Sequence, residues 1–318
     1  MLSGTFPLGL GCAALGNLYR EITDDQAKET FDAAWDAGVR LYDVAPHYGL
    51  GVAERRLGEL LTAVPRDEVI VSTKVGRLLE PLADGESVLD TQGFAVSTNL
   101  HRVFDFSDDG VVRSLESSLS RLDVDRIDVV LIHDPDDHVD QALGEAYPAL
   151  ERLRTEKMVR AIGVGTNSSA VAERFVRDSD IDVALIAGRW TLLDQSAGES
   201  LLPMCHERRV DVMVGGVLNS GILGNEHPDE SSTYNYRPVQ PEVLTRAQAL
   251  AAACARHGIS LPHAATAFAA RHPAVTAVLV GARNASEVQA AADAINDDLD
   301  QATLDELAAI GRGETGPG

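Results

Sequence analysis

Short apolar runs rich in β-branched residues alternate along the chain with stretches whose apolar positions recur every three or four residues, the pattern of strands alternating with amphipathic helices. The strand-like runs are Leu8 to Cys12, Arg40 to Val44, Val69 to Val75, Ile127 to His133, Ala161 to Gly165, Val183 to Ala187, Asp211 to Gly215 and Ala277 to Gly281. The first helix opens at Thr23, where Gln26 three residues on completes a capping box, and closes at Gly38. Others are predicted over Val52 to Thr62, Gly110 to Leu122, Gln141 to Lys157, Ser169 to Arg177, Ser200 to Arg208, Pro241 to His257 and Ser286 to Ile295. Eight strands and eight helices in strict alternation predict an α/β protein: a closed (β/α)₈ TIM barrel forming one domain over residues 1–318.

Two further helical stretches, Pro262 to Arg271 and Gln301 to Ile310, are accessory to the repeat. The connections Gly76 to Asp109 and Val217 to Gln240, after strands 3 and 7, are too long for plain βα turns. Both leave the C-terminal ends of strands, where barrel enzymes build their sites, and the second is long enough to close over a ligand. The tail GRGETGPG, with residues 312–318 at its end, is expected to fray and be disordered.

Composition narrows the classes of function. Hydrophobic residues make up 45% of the 318, enough for a large buried core. A formal net charge of −22 repels phosphate backbones and anionic lipid surfaces, so neither nucleic acid nor a membrane is an expected partner. No window reads as a membrane span and the N-terminus lacks the signature of a signal peptide. Cys12, Cys205 and Cys254 are widely spaced without a CxxC, which suggests a reduced, cytoplasmic chain.

Candidate chemistry lies at the ends of three successive strands. Asp43 lies near the C-terminal end of the second, Tyr48 follows in its loop, and Lys74 and His133 lie at the C-terminal ends of the third and fourth. Reducing a carbonyl needs a proton donor, and oxidising a hydroxyl needs a base. A phenol serves both directions; the Lys74 ammonium favours its ionised form, and Asp43 holds that ammonium charged. A histidine aimed at the substrate oxygen orients it. Each residue also has a structural alternative: a turn-forming Asp, a half-buried aromatic, a solvated strand-end Lys, a helix-capping His. Lys74 is one of only three lysines, with Lys28 and Lys157, and it interrupts an apolar run. His47, His133, His138 and Asp134 make no clear ligand set for a metal.

At these residues the chain resembles the aldo-keto reductase superfamily, with YDVAPHYGLGVAERRLGELL, STKVGRLL, DVVLIHDPD, GVGTN and VLVGARN in family order. GNLYREITDDQA, AGRWTLLDQ, GGVLNSGILG and ACARHGISLPHAATAFAARHPAV narrow the resemblance to a branch of bacterial aldose 1-dehydrogenases acting on L-fucose or D-threo-aldoses, and related pyridoxal 4-dehydrogenases. The resemblance implies Asp43, Tyr48, Lys74 and His133 as a catalytic tetrad and a nicotinamide cofactor. It places Thr166 and Asn167 at the nicotinamide carboxamide and Leu218, Asn219, Ser220 and Gly221 along the pyrophosphate. Gly281, Ala282 and Arg283 come at the adenosine phosphate end. The absence of GxGxxG is expected, since this fold is not of the Rossmann type.

Several positions depart from the family pattern. Ala187 stands where a glutamine often holds the nicotinamide amide, Gly215 replaces an aromatic under the ring, and Ala290 and Ala291 replace an acidic and an amide residue near adenine. Trp190 is one source of the missing aromatic surface, with core packing the favoured alternative for it. Glu287 occupies a position where NADP-selective relatives often carry an arginine; a carboxylate there repels a 2′-phosphate and accepts a ribose hydroxyl, which favours NAD. Arg283 leaves NADP possible. The resemblance implies oxidation of a lactol hydroxyl of an aldose to a lactone, with Tyr19, His47 and Trp190 as substrate contacts beside a loop carrying Tyr234 and Tyr236. The cyclic hemiacetal of pyridoxal is the alternative substrate. A general NAD(P)H-dependent aldehyde reductase and, from a different class, a cofactor-binding regulatory subunit without turnover are also weighed. Neither the physiological direction nor the oligomeric state follows from the sequence.

Overall fold

The structure is a computed structural model that describes residues 7–83 and 85–314. Eight parallel strands close into a barrel: β1 (Leu8–Gly11), β2 (Leu41–Asp43), β3 (Ile70–Val75), β4 (Val129–His133), β5 (Ala161–Thr166), β6 (Val183–Ala187), β7 (Asp211–Gly215) and β8 (Val275–Val280). They are the eight expected runs. The last begins two residues before the predicted Ala277 because Thr276 Oγ1 accepts from Val212 N at 2.9 Å across a register shift, extending the pairing with β7.

Side chains alternate along each strand, and one set fills the barrel interior: Leu41, Ile70, Val129, Leu131, Ala161, Val183, Leu185, Met213, Ala277 and Leu279. The other set packs outward against the helices in a larger cluster containing Tyr42, Val71, Val130, Ile162, Ile186 and Val212. Counting in twos from the interior residues puts Asp43 above Leu41, Ser72 and Lys74 above Ile70, and His133 above Leu131. The register Asp43↔Ser72 and Lys74↔Leu131 stacks them on neighbouring strands at the C-terminal rim.

The ring of helices is α1 (Asp24–Asp36), α2 (Val52–Leu61), α3 (Asp108–Leu122), α4 (Tyr147–Thr155), α5 (Ser169–Asp178), α6 (Leu201–Arg208), α7 (Pro241–Arg256) and α8 (Ala285–Asn296). The capping box at Thr23 is present in both directions. The fourth helix was expected as one run from Gln141 to Lys157 and is instead interrupted by a π-turn over Ala142–Ala146, where Tyr147 N reaches Ala142 O. Pro148 explains it: without an N–H it cannot continue the α-ladder, and a wider turn relieves the clash of its ring. The accessory helices are Leu261–Ala269 and Gln301–Arg312.

The C-terminal tail holds together further than expected. Arg246 Nη1 donates to Gly311 O at 2.6 Å, Arg312 Nη1 to Gln195 Oε1 at 2.7 Å, and Gly313 closes the helix in the left-handed region at φ +80°. Residues 315–318 lie outside the described residues, so the expected disorder is not assessed there. Among the described residues no helix is long and apolar enough to cross a membrane.

The long connection after β3 is an antiparallel ribbon, Arg77–Pro81 with Leu100–Phe104, carrying a smaller pair at Val88–Leu89 and Ser97–Thr98. It folds back onto the barrel mouth: Leu18 bridges Phe94, and Tyr19 N donates to Gly93 O at 2.7 Å. The connection after β7 forms a 3₁₀ segment over Asn219–Gly224 and a short hairpin, Thr233–Tyr234 with Arg237–Pro238.

Candidate active site

Lys74 sits at the centre of the rim with every ammonium proton engaged. Its Nζ donates to Asp43 Oδ2 at 2.7 Å, to Val44 O at 3.0 Å and to Tyr48 Oη at 3.2 Å, at 2% exposure. Ser72 Oγ donates to the other Asp43 oxygen at 2.8 Å, which fixes the carboxylate plane. Burial alone would strip the proton from Lys74; the Asp43 carboxylate and the Tyr48 hydroxyl outweigh it and hold its pKa above the ordinary lysine value.

Tyr48 is held by a glycine contact. A Cβ on Gly16 would stand 2.7 Å from Tyr48 C, and one on Gly49, at φ +62°, 2.4 Å from Gly16 O. Only two glycines let the loops after β1 and β2 approach this closely. Below them the fully buried Glu54 accepts from Thr73 Oγ1 at 2.9 Å and from Arg121 Nε at 2.6 Å, tying α2 to β3 and α3.

The phenol departs from expectation in one respect. Burial raises its pKa above the ordinary tyrosine value; Lys74 pulls it down, Asp43 pushes it up, and the net direction is upward. Lys74 therefore offsets desolvation rather than producing a phenolate at neutral pH. His133 stays neutral because burial, then Arg77 and Lys74, hold its pKa well below the ordinary imidazole value. His47 is driven down to about 2 by burial and by Arg77, Arg102 and Lys74. The Nδ1 atoms of both imidazoles are buried without a partner in the protein. His47 lies edge-on to His133 at 5.6 Å between ring centroids, and Tyr48 edge-on to it at 6.1 Å.

Tyr48, Lys74 and His133 line a cavity of about 640 Å³ at the barrel mouth, together with Tyr19, His47, Asn167 and Tyr236. Thr166 lines it too, but its hydroxyl donates to Asp136 Oδ2 at 3.0 Å and accepts from Ser168 N, so its proton is committed. Ala187, Asn167 and Tyr236 are shared with a second cavity of about 400 Å³ that also meets Asn219 and Ser220. A third, of about 580 Å³, lies beyond and is lined by Leu218, Gly221, Gly281, Arg283 and Glu287, with Ala290 and Ala291. The expected cofactor residues thus trace a path from the tetrad to the N-terminus of α8.

Two expected contacts fall elsewhere. Trp190 stacks on Phe268 at 5.0 Å and meets His272 edge-on, lining none of these cavities; its surface is used in packing because Gly198 leaves room for the indole. Ala282 is 2% exposed with its methyl in the outer core, so only its neighbours Gly281 and Arg283 face the third cavity. Glu287 also does more than expected: its oxygens accept from Arg283 N at 2.9 Å and Asn284 Nδ2 at 3.0 Å, completing the start of α8. Each oxygen retains further acceptor capacity.

Phe94, Thr91 and Gln92 line the same cavity as Tyr48, Lys74 and His133 and were not anticipated. Phe94 is 4% exposed, edge-on to His47 at 5.2 Å, and the buried pair of Arg102 with Asp90 at 2.5 Å anchors its loop. The signal available was the apolar run Phe94 to Val96 directly after the polar turn Thr91 to Gly93.

A nicotinamide cofactor can be tested against these residues. Both amide atoms of Asn219 and Nε of Arg283 are buried without protein partners. Asn219 lines the cleft beside Ala187 and Gly188, so its amide offers a donor and an acceptor where a glutamine is missing. Orphaned amide atoms in a cleft continuous with the tetrad fit a ligand bearing amide and phosphate groups.

Comparison with known proteins agrees with this geometry. The sequence profile of the aldo/keto reductase family matches residues 7–312. The chain belongs to the aldo-keto reductase family. It is an oxidoreductase acting on CH–OH groups, in a family that works with nicotinamide cofactors on small-molecule substrates. This aldo-keto reductase is 45% identical to a D-threo-aldose 1-dehydrogenase of a Pseudomonas species over 277 residues, 86% of this chain and 84% of that one. It is 34% identical to a pyridoxal 4-dehydrogenase of Microbacterium luteolum, covering 89% and 87% respectively. A solved aldo-keto reductase from Bacillus halodurans shares the fold at a TM-score of 0.75 and 24% identity, over 97% of this chain and 93% of that one.

Proposed function

We propose that this aldo-keto reductase oxidises the C1 lactol hydroxyl of a cyclic aldose to a lactone, with Tyr48 as the proton acceptor and NAD as the favoured cofactor. The observation that carries the reading is the Lys74 ammonium, buried at the floor of the main cavity and shared between Asp43 at 2.7 Å and Tyr48 at 3.2 Å. The cofactor supplies the hydride acceptor. The C1–H bond would give up its hydride to that acceptor as the O–H proton passes to Tyr48, leaving the carbon–oxygen bond as the lactone carbonyl. Tyr48 takes that proton as the phenolate, which Lys74 stabilises before the transfer and which the transfer returns to the neutral phenol, and neutral His133 holds the reacting oxygen against Tyr48. Tyr19 and His47 are the proposed substrate contacts.

Along the cofactor path, Asn167 and Asn219 are proposed at the carboxamide end and Ser220, Leu218 and Gly221 beside the pyrophosphate. Arg283 and Glu287 lie at the adenosine end. Glu287 places a carboxylate in the third cavity, which repels a 2′-phosphate and accepts a hydrogen bond from a ribose hydroxyl. The 45% identical relative, a D-threo-aldose 1-dehydrogenase, supports an aldose; the 34% identical one keeps the hemiacetal of pyridoxal as the second reading. Three buried free cysteines suit a reducing compartment, and the cytoplasm is the proposed place of action.

The test is cofactor reduction with L-fucose, D-arabinose, L-galactose and pyridoxal, each with NAD⁺ and NADP⁺. Lactone formation from an aldose with NAD⁺ is expected, and Tyr48→Phe should lower kcat by roughly 10²- to 10⁴-fold. Turnover of pyridoxal alone, turnover confined to aldehyde reduction, or an unaffected Tyr48→Phe variant would each overturn the proposal.

A further inference from the structure

Immediately after His133 the chain turns on Asp134. Its amide still belongs to the barrel, donating to Gly165 O at 2.8 Å, but its φ of +41° takes the backbone into the left-handed region. Short polar side chains tolerate that region best, and strain of this kind concentrates at functional sites. The carboxylate lines the catalytic cavity, with Oδ2 3.6 Å from His133 Nε2. It caps no helix, since the 3₁₀ turn Asp136–His138 begins at Pro135 with no side-chain cap. Its ion-pair partner is Arg77, on the first strand of the ribbon, whose guanidinium lies over Phe104 at 5.1 Å.

Stability does not account for this pair. Both members are largely withdrawn from water, with side-chain exposures of 12% for Arg77 and 26% for Asp134, and such pairs recover little beyond their own desolvation. What the pair does supply is an acceptor-only group, held in one orientation beside the histidine that faces the reacting oxygen.

We propose that Asp134, oriented by Arg77, is a specificity-determining residue that accepts a hydrogen bond from the substrate hydroxyl on the carbon next to the reacting one. This rests on the reading of Tyr48 and His133 as the holders of the reacting oxygen. The spacing between His133 Nε2 and Asp134 Oδ2 matches two oxygens on adjacent carbons, so an aldose with its C1 oxygen on His133 brings its C2 hydroxyl to the carboxylate. A carboxylate can only accept, and a C2 hydroxyl has a proton to donate. A substrate lacking it leaves the acceptor positions of the carboxylate that Arg77 does not fill buried under ligand without a donor, and sites of this kind reject such analogues strongly.

The experiment compares kcat/KM for D-arabinose and its 2-deoxy analogue, 2-deoxy-D-ribose, in the wild-type enzyme and in Asp134→Asn, a residue equally at home at positive φ. Wild type should prefer the 2-hydroxyl by about 10- to 100-fold, and in Asp134→Asn that preference should collapse to within about threefold, mainly through KM. Arg77→Gln, which leaves the carboxylate in place but removes its anchor, should weaken the preference by an intermediate factor and decides the matter if Asp134→Asn does not fold. An undiminished preference in the folded variants overturns the inference while leaving the aldose reading intact. Wild-type enzyme that turns over neither sugar nor any other aldose overturns both.

Discussion

Replacing Lys74 with methionine removes one charge and little volume, and its consequence can be worked from one distance and the burial of the pair. The ammonium lies 3.2 Å from Tyr48 Oη at 2% exposure. At an effective dielectric of about 20, a unit charge there stabilises a phenolate by about 5 kcal/mol, equivalent to about four pKa units. The phenol already sits above its ordinary pKa because burial outweighs Lys74, so losing Lys74 moves ionisation far beyond the working range. For oxidation the competent form is the deprotonated one, and log(kcat/KM) of the wild type should rise with pH. In Lys74→Met that rise should vanish and kcat should fall by at least about 10³-fold. The assay is initial-rate cofactor reduction with an aldose between about pH 6 and 10. Methionine also leaves Asp43, 3% exposed in its side chain, without its counter-ion, at a cost of about 3–5 kcal/mol in stability. The double variant Lys74→Met/Asp43→Asn removes that orphaned charge and provides a folded protein for the same assay. A Lys74→Met enzyme within tenfold of wild type, with the pH rise intact, would refute the claim that this ammonium tunes Tyr48.

Three other outcomes are expected. Glu287→Arg should raise the ratio of NADP⁺ to NAD⁺ specificity constants by about tenfold or more; because Glu287 also accepts from Arg283 N and Asn284 Nδ2, Glu287→Gln serves as the control, and an equal ratio in all three enzymes contradicts the assignment. His47 stays neutral when folded, its pKa near 2, whereas the unfolded histidine takes a proton below about 6.5, so its contribution to stability is complete above that pH and declines as pH falls towards the folded value. Denaturant unfolding should therefore lose about 1 kcal/mol less between about pH 7 and 5.5 in His47→Gln than in wild type, and identical losses would show that His47 is protonated in the folded chain. Gly49→Ala puts a methyl 2.4 Å from Gly16 O at φ +62°, so the Tyr48 loop must move; kcat should drop by about tenfold or more with the barrel still folded, and an unchanged kcat would mean the glycine contact does not position the phenol.

Three of the four expected catalytic residues were placed from the chain because their positions need only local information. An apolar run with a known end and alternating faces puts Asp43, Lys74 and His133 at inward, C-terminal positions, whichever strands turn out to be neighbours. The capping box at Thr23 is equally local. The reading weakened where a side chain's surroundings come from remote parts of the chain. Phe94 reaches His47 only because a ribbon of about thirty residues folds back over the mouth, and no periodicity encodes where a ribbon lands. Trp190, placed by sequence beside the site, is claimed by Phe268 and His272 from an accessory helix and its end.

By itself, then, the sequence determined the closed alternation of strands and helices and which residue types stand at the rim, since both follow from side-chain period and length. The tertiary structure alone decided their electrostatic state. Whether Tyr48 lies above or below its ordinary pKa depends on how completely the barrel and ribbon exclude water from it, set against the charges of Lys74 and Asp43. It likewise decided that Asp134 stands beside His133 as an acceptor paired with Arg77, because the turn that aims the carboxylate and the strand that carries the arginine are brought together only when the ribbon docks on the barrel.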